Sequence, residues 1–321
     1  MSLKNNKLVA ILGGRKYLNN TTLRKFLTLE IRNKLKEDNI DFIIATNNKS
    51  AAKEYKQIDN LKVIETSEKL HNSFKDRQRE AFTNLGAETR ETINQYSIKN
   101  NYKYTVHLDD NINQIYVSLY NPTLKKGFGT KTTITKYKPQ SFYEIIKLLF
   151  FVIEKSNSGC VGITMSQYPS ANNPRITAGF PYSFFVHKTD KNFKFENSTE
   201  DDILMSIYNG KNGKPSCVIR DCILYGKTGK SKHKDGNRLI YNKMLKKNQR
   251  GEYAAKMYPE IYQRKITYMQ KSTTSQKKII LQHKHRLIKP KNWNKELNVD
   301  TIVFKEINKT IDAIYKREKN V

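Results

Sequence analysis

The residues best suited to chemistry in this chain are two acids that follow an apolar segment. Asp109 and Asp110 come directly after residues 102–108 (YKYTVHL), which predict a buried strand, and Asn111 follows them. Carboxylate and amide oxygens bind hard divalent cations, and Mg²⁺ or Mn²⁺ would keep several waters and bind substrate phosphates. A strand-to-turn junction stays open as the alternative, because Asp-Asp-Asn is also turn composition.

A second acidic cluster, Glu200-Asp201-Asp202, lies at the start of a helix predicted over residues 200–209. The helix dipole favours acids at this position, which is sufficient to explain the cluster without catalysis. The functional alternative is a general base, a carboxylate that accepts the proton of an acceptor hydroxyl as its oxygen attacks. We select Asp201 as this base, with Asp202 and Glu200 as neighbouring candidates.

A third candidate, Gly13-Gly14-Arg15, follows a strand predicted over residues 7–12 (KLVAIL). Glycines allow the backbone to approach a ligand closely, and the Arg15 guanidinium could pair with phosphate. An ordinary turn between a strand and a helix explains the two glycines equally well.

The elements that must position these residues alternate between strand and helix over the first 110 residues. Strands separated by helix-length segments indicate βαβ units and a parallel sheet, in which ligands bind beyond the carboxyl ends of the strands. The strands are predicted at residues 7–12, 41–46, 61–66, 102–108, 113–120, 131–137, 161–166, 176–188, 218–226 and 278–283. The helices are predicted at residues 22–37, 48–57, 73–100 (broken near Gly86), 141–155, 200–209 and 301–316, with mostly helix from residue 227 to Gln270.

The charge of the chain indicates a polyanionic partner. The 321 residues carry a formal net charge of +29, and residues 227–291 contain 19 Lys or Arg against three acids, with tyrosines interleaved. Basic side chains neutralise phosphates and aromatic rings stack on bases. Codon bias could also explain the charge, since Lys far outnumbers Arg. Tyr258 and Tyr262 are four residues apart, so they could be buried on one face of a helix and not stack on bases. The candidate DNA-binding residues are Lys243, Lys246, Lys247, Arg250, Arg264 and Lys265.

The composition excludes other classes of protein. No run of 18 apolar residues occurs, so no membrane span or stable membrane insertion is predicted. The first 11 residues lack the apolar region of a signal peptide, and three cysteines are too few for a disulfide framework. We therefore expect a cytoplasmic protein, organised as a core of residues 1–226 and a basic extension of residues 227–321.

Four segments in this order, residues 8–15, 76–111, 176–187 and 199–206, followed by the basic tail, resemble the TET-associated glycosyltransferase family. That family occurs in DNA viruses of bacteria and includes relatives of the kinetoplastid base J glucosyltransferase. The resemblance covers residues 7–240. It implies a GT-A-like (Rossmann-like) α/β fold, with a mixed, mainly parallel sheet flanked by helices and a basic, mostly helical C-terminal extension.

The resemblance also implies a metal-dependent transfer of a sugar from a nucleotide sugar, most simply a UDP-sugar, to a hydroxymethylated pyrimidine in double-stranded DNA. The location would be the cytoplasm of a bacterial host. Asp201 follows Asp110 by 91 residues, a separation similar to that between the metal acids and the base of inverting GT-A enzymes. The residues implied for the donor are Gly13, Gly14, Arg15, Arg79, Arg90, Asp109 and Gly179. Those implied for Mn²⁺ or Mg²⁺ are Asp110, Asp109, Asn111 and His233.

Two other functions stay open at this point. A glycosyltransferase for surface polysaccharide would rest its basic patch on the inner membrane surface. A nucleic-acid-binding protein without catalysis would use the acids only as turn residues.

This chain departs from the family pattern at Asn111, where many GT-A enzymes have a second metal-binding Asp after one intervening residue.

Overall fold

The computed structural model describes residues 6–77, 86–118, 131–134, 139–165, 174–195, 201–227, 252–273, 276–287 and 292–319. Within these ranges, only the backbone is described for residues 75–77, 131–134, 252–253, 262–273, 276–287 and 319.

A mixed sheet of ten strands forms the centre of the described structure. From one edge, the strand order is β3-β2-β1-β4-β9-β7-β10-β5-β6, and β8 pairs with β10 off this path. The pairs among β1 to β4 and the β7–β10 pair are parallel, whereas β5, β8 and β9 pair antiparallel to their neighbours. The strands are β1 (Lys7–Leu12), β2 (Ile40–Thr46), β3 (Lys62–Glu65), β4 (Tyr104–Asp109), β5 (Ile112–Ser118), β6 (Lys131–Ile134), β7 (Cys160–Met165), β8 (Arg175–Ala178), β9 (Phe184–Lys188) and β10 (Cys217–Lys227).

Helices cover both faces of this sheet, which confirms the predicted α/β class. Alternate residues of β1 face opposite layers: Val9 and Ile11 join one apolar cluster, while Leu8 and Ala10 join another. A strand buried on both faces is continuously apolar, which explains the KLVAIL run. The helices are α1 (Thr21–Lys25), α2 (Leu29–Glu37), α3 (Lys49–Tyr55), α4 (Glu68–Arg77), α5 (Gly86–Lys99), α6 (Pro139–Glu154), α7 (Asp201–Lys211), α8 (Glu252–Met257), α9 (Trp293–Glu296) and α10 (Thr301–Lys319).

Two elements that the sequence predicts as continuous are divided. The helix predicted over residues 22–37 is two helices, α1 and α2, which bury Leu23 and Ile31 respectively. Asn20 caps α1, accepting a hydrogen bond from Leu23 N at 2.9 Å. The strand predicted over residues 176–188 is also two strands, β8 and β9, separated by a segment that contains Pro181. Proline lacks the N–H that a strand interior requires.

The C-terminal part contains a β-hairpin where helix is predicted. β11 (Tyr262–Thr273) pairs antiparallel with β12 (Gln276–Leu287), so the prediction of helix is wrong for residues 262–270. The final helix is confirmed as α10, whose Val303, Ile307 and Ile311 are buried in the main apolar cluster. No helix among the described residues is both long and apolar enough to cross a membrane.

Candidate active site at the carboxyl edge of the sheet

The candidate site lies where the strand order reverses. The chain passes from β1 to β2 on one side, and β4 pairs with β1 on the other. Leu12 lies opposite Asp109 in the parallel register, so Gly13 and Asp110 leave the sheet side by side. Crevices of this kind, beyond the carboxyl ends of parallel strands, bind ligands in open α/β sheets.

Asp110 faces the glycine segment across this crevice. Its Oδ2 accepts a hydrogen bond from Arg15 N at 3.1 Å, and its Oδ1 pairs with the Arg15 guanidinium. A Cβ on Gly14 would lie 3.9 Å from Asp110 Oδ2, so the carboxylate lies against the Gly14 backbone. Burial raises the pKa of Asp110 to about 6, against the attraction of Arg15 and with a contribution from Asp109.

Asp109 lies between two cations. Lys227 Nζ, at the end of β10, is 2.6 Å from Asp109 Oδ2, and Arg90 Nη2 is 3.2 Å from Oδ1. Burial alone would raise the pKa of Asp109, but Lys227 and Arg90 outweigh it and hold the pKa at about 2. Asp109 N also donates to Ser183 O at 2.8 Å, which ties the end of β4 to the start of β9.

Arg90 joins the two acidic clusters. It is 5% exposed, and besides Asp109 it pairs with Asp201, which opens α7 and is 6% exposed. The guanidinium also lies over the Phe185 ring, 5.4 Å from its centroid. Residues 90, 109 and 201 are therefore brought together although they are far apart in the sequence.

Asp202 differs from Asp201 in its surroundings. It is half-buried, and its Oδ1 accepts a hydrogen bond from Ile203 N at 2.9 Å. Burial and the adjacent Asp201 raise the pKa of Asp202 to about 7. Burial also raises the pKa of Asp201, while Arg90 opposes this. A carboxyl group with a pKa near neutrality is suited to accept a proton during catalysis.

Several residues that hold the site in place are not selected from the sequence. The Thr22 hydroxyl donates to Asp109 O and accepts from Ile112 N at 2.9 Å, so α1 clamps the turn that carries Asp109 to Asn111. Asn48 Nδ2 donates to Gly14 O at 3.3 Å from the end of β2. The sequence could have indicated Asn48, because it follows a predicted strand as the acids Asp109 and Asp110 do. No pattern in the neighbouring sequence indicates that Lys227 pairs with Asp109.

Close packing explains why residue 13 is a glycine, since an added Cβ would lie 2.7 Å from Ile44 Cγ1. Gly179 lies elsewhere: its N–H donates to Ser216 O at 2.9 Å, and an added Cβ would meet Val218 at 3.0 Å. No contact described for Gly179 reaches the acids.

Arg264 and Lys265 lie on β11, where only the backbone is described. The predicted site residues outside the described residues are Arg79, Glu200, His233, Lys243, Lys246, Lys247 and Arg250.

The donor set for a divalent cation consists of two carboxylates. Within the ranges described above, no group of three or more His, Cys, Asp or Glu side chains could hold a metal. Mg²⁺, however, is usually bound through one or two carboxylates together with substrate phosphates. Asp110, with an oxygen against the Gly14 backbone and with Asp109 beside it, fits that mode of binding.

Comparisons with known proteins give a weak structural likeness. No family model and no curated protein matches this chain. The crystal structure of mannose-1-phosphate geranyltransferase from Thermus thermophilus is similar, with a TM-score of 0.28 and 12% sequence identity. The match covers 70% of this chain and 57% of that one, so this chain spans little more than half the length of that protein.

Proposed function

We propose that this protein is a metal-dependent glycosyltransferase that moves a sugar from a nucleotide sugar to a hydroxymethylated pyrimidine in DNA. The observation that carries the proposal is the buried Arg90, which pairs with both Asp109 and Asp201. This contact supports one active site made from the strand-end acids and the helix-start acids. Such a site needs a place for a diphosphate and a base for the acceptor, and the two clusters would supply them.

The donor diphosphate would lie in the crevice beyond the strand ends, beside Gly14 and Asp110. The glycine backbone permits close approach, and Arg15 and Lys227 supply positive charge at its rim. Asp110, with Asp109, would hold Mn²⁺ or Mg²⁺, which neutralises charge on the departing diphosphate when bound. A UDP-sugar is the simplest donor, following the family resemblance.

The acceptor hydroxyl would lose its proton to an acid of α7. Asp201 is engaged by Arg90, whereas Asp202 is half-buried and its pKa is raised to about 7. We therefore favour Asp202 as the base and assign Asp201 to holding Arg90, although the sequence alone favours Asp201. Comparing Asp202→Asn with Asp201→Asn separates the two, because loss of a general base lowers turnover by about 10²- to 10⁴-fold.

DNA as the acceptor is supported by charge and by the family resemblance. The net charge of +29 suits a polyanion, and its density is highest in residues 227–291. A hydroxymethyl group on a pyrimidine projects into the major groove of duplex DNA, although a buried site would require the base to be flipped out. Such an enzyme would act in the cytoplasm of a bacterial host.

The deciding experiment measures the mass of nucleosides after incubation with DNA and nucleotide sugars. Hydroxymethylated and unmodified DNA are compared, each with a panel of nucleotide sugars and Mn²⁺, using the parent protein and Asp110→Ala. We expect a hexose or pentose mass increment only with hydroxymethylated DNA and only with the parent protein. Donor hydrolysis or binding without transfer to DNA would favour a polysaccharide acceptor. Absence of any nucleotide-sugar binding would favour a nucleic-acid-binding protein without catalysis.

A further inference from the structure

A second polar cluster lies at the same edge of the sheet, beside the end of β2. His71 Nδ1, on α4, is 2.8 Å from Glu88 Oε1, on the first turn of α5. Asn47, directly after β2, donates from Nδ2 to Glu88 Oε2 at 3.2 Å. The Glu88 side chain is 1% exposed, whereas that of His71 is 33% exposed. None of these three residues is used in the mechanism above.

The hydrogen bonds determine what His71 can offer to a ligand. Both Glu88 oxygens are engaged, and an ionised carboxylate accepts hydrogen bonds only. His71 therefore donates from Nδ1, which leaves Nε2 as the ring nitrogen for a ligand: Nε2 accepts a hydrogen bond in the neutral imidazole and donates one in the protonated imidazole. No hydrogen bond to Nε2 is found among the residues that the structure describes, and the side chain is one-third exposed. A hydroxyl group both donates and accepts hydrogen bonds, so it can pair with this atom in either form of the imidazole.

The position of the cluster relative to the diphosphate crevice limits which part of a ligand it meets. Neighbouring strands are about 5 Å apart, so the end of β2 lies about 5 Å from the end of β1 and about 10 Å from the end of β4. Asn47 and Asn48 are adjacent: Asn48 holds Gly14 O at the crevice, and Asn47 holds Glu88. A nucleoside diphosphate with its phosphates at Gly14 and its nucleoside on the β2 side of the crevice would bring its ribose to this cluster.

We propose that His71 Nε2 forms a hydrogen bond with a ribose hydroxyl of the nucleotide donor, with Glu88 and Asn47 fixing the orientation of the imidazole. In doubly wound folds an acid near this position commonly binds the ribose hydroxyl directly. Here the buried acid is already occupied, so the imidazole takes that role. This inference rests on the proposed nucleotide donor and specifies that the donor carries ribose.

The test measures equilibrium binding of UDP, 2′,3′-dideoxy-UDP and inorganic pyrophosphate in the presence of Mn²⁺, with CDP, GDP and ADP and their dideoxy forms run alongside. One neutral hydrogen bond contributes about 0.5–1.5 kcal/mol, so the parent protein should prefer the ribose form roughly two- to twelvefold. His71→Asn keeps a donor towards Glu88 but has no atom at the Nε2 position. It should lose the ribose preference and bind pyrophosphate as the parent does.

His71→Gln is the matched variant, because its amide reaches the Nε2 position but loses the Nδ1 contact to Glu88. Recovery of part of the ribose preference by Gln, but not by Asn, is the expected result. Equal weakening of UDP and pyrophosphate by His71→Asn would mean that His71 only supports the fold, and would overturn the inference. A ribose preference that His71→Asn leaves intact would also overturn it. If the parent protein binds none of the diphosphates, the proposed function itself fails.

Discussion

Replacing Arg90 with methionine should destabilise the protein strongly, because it leaves a buried carboxylate without a counter-charge. Arg90 is 5% exposed and pairs with Asp201, which is 6% exposed, so neither charge is well solvated. Asp109 would keep its ion pair with Lys227 at 2.6 Å. Asp201 would lose Arg90, the only cation that pairs with it among the residues that the structure describes. Removing one partner of a buried ion pair costs about 3–5 kcal/mol. We therefore expect the free energy of unfolding of Arg90→Met to be lower than that of the parent protein by this amount at neutral pH.

Urea denaturation measured at pH 7.5 and pH 4 tests this quantity. The loss should shrink at pH 4, because without Arg90 the pKa of Asp201 rises further and a protonated carboxyl needs no counter-charge. Asp201→Asn in the Arg90→Met background should restore much of the stability at pH 7.5. The control is Arg175→Met, since Arg175 is 57% exposed beside Asp221 and such pairs contribute at most about 1 kcal/mol. A loss for Arg90→Met no larger than that of the control would refute the bridging role.

Three further predictions concern the acids, the glycines and DNA. The folded-state pKa of Asp202 is raised from 3.8 to about 7, so its ionisation lowers stability as pH rises from about 4 to 7. At about 1.4 kcal/mol per pKa unit, Asp202→Asn should add at most about 4 kcal/mol at pH 8, reduced by solvent screening of this half-buried side chain, and nothing at pH 4, as measured by urea denaturation. Gly13→Ala should lower the melting temperature because its Cβ would meet Ile44 at 2.7 Å, whereas Gly14→Ala, 3.9 Å from Asp110, should not. EDTA and Asp110→Ala should each abolish sugar transfer without unfolding the protein, and DNA affinity should fall steeply with salt in binding titrations.

Local patterning was sufficient to predict most of the sheet and the separate parts of the site. β1 has the predicted bounds, Lys7 to Leu12, and its residues from Leu8 to Leu12 are all apolar and buried because helices cover both faces of the strand. The candidate acids lie where the sequence predicts them, Asp109 and Asp110 at the end of a strand and Asp201 at the start of a helix, since each lies at the boundary of a periodic segment. Their direct contacts follow from the strand order, which no local pattern contains.

The wrong predictions have physical causes of the same kind. Residues 262–270 are predicted as helix but belong to β11, in which Ile266 and Tyr268, two residues apart, are typical of a strand. Helical and strand periodicities overlap in short segments, and pairing with β12 decides between them. Likewise, His71 and Glu88 are 17 residues apart on different helices, so only the packing of α4 beside α5 brings them together.

The charges of the site indicate how donor binding would proceed under the proposed function. In the structure, Arg15 neutralises Asp110, and Lys227 and Arg90 neutralise Asp109. Asp109 and Asp110, which would hold a divalent cation, are therefore already paired with cations and already largely out of water, so holding the metal would exchange one counter-charge for another. Arg15 and Lys227, which are the more exposed of the three cations, would then be released towards the phosphates. Arg90 is buried between two acids and would stay in place, so it would fix the distance between the metal acids and the base throughout the reaction.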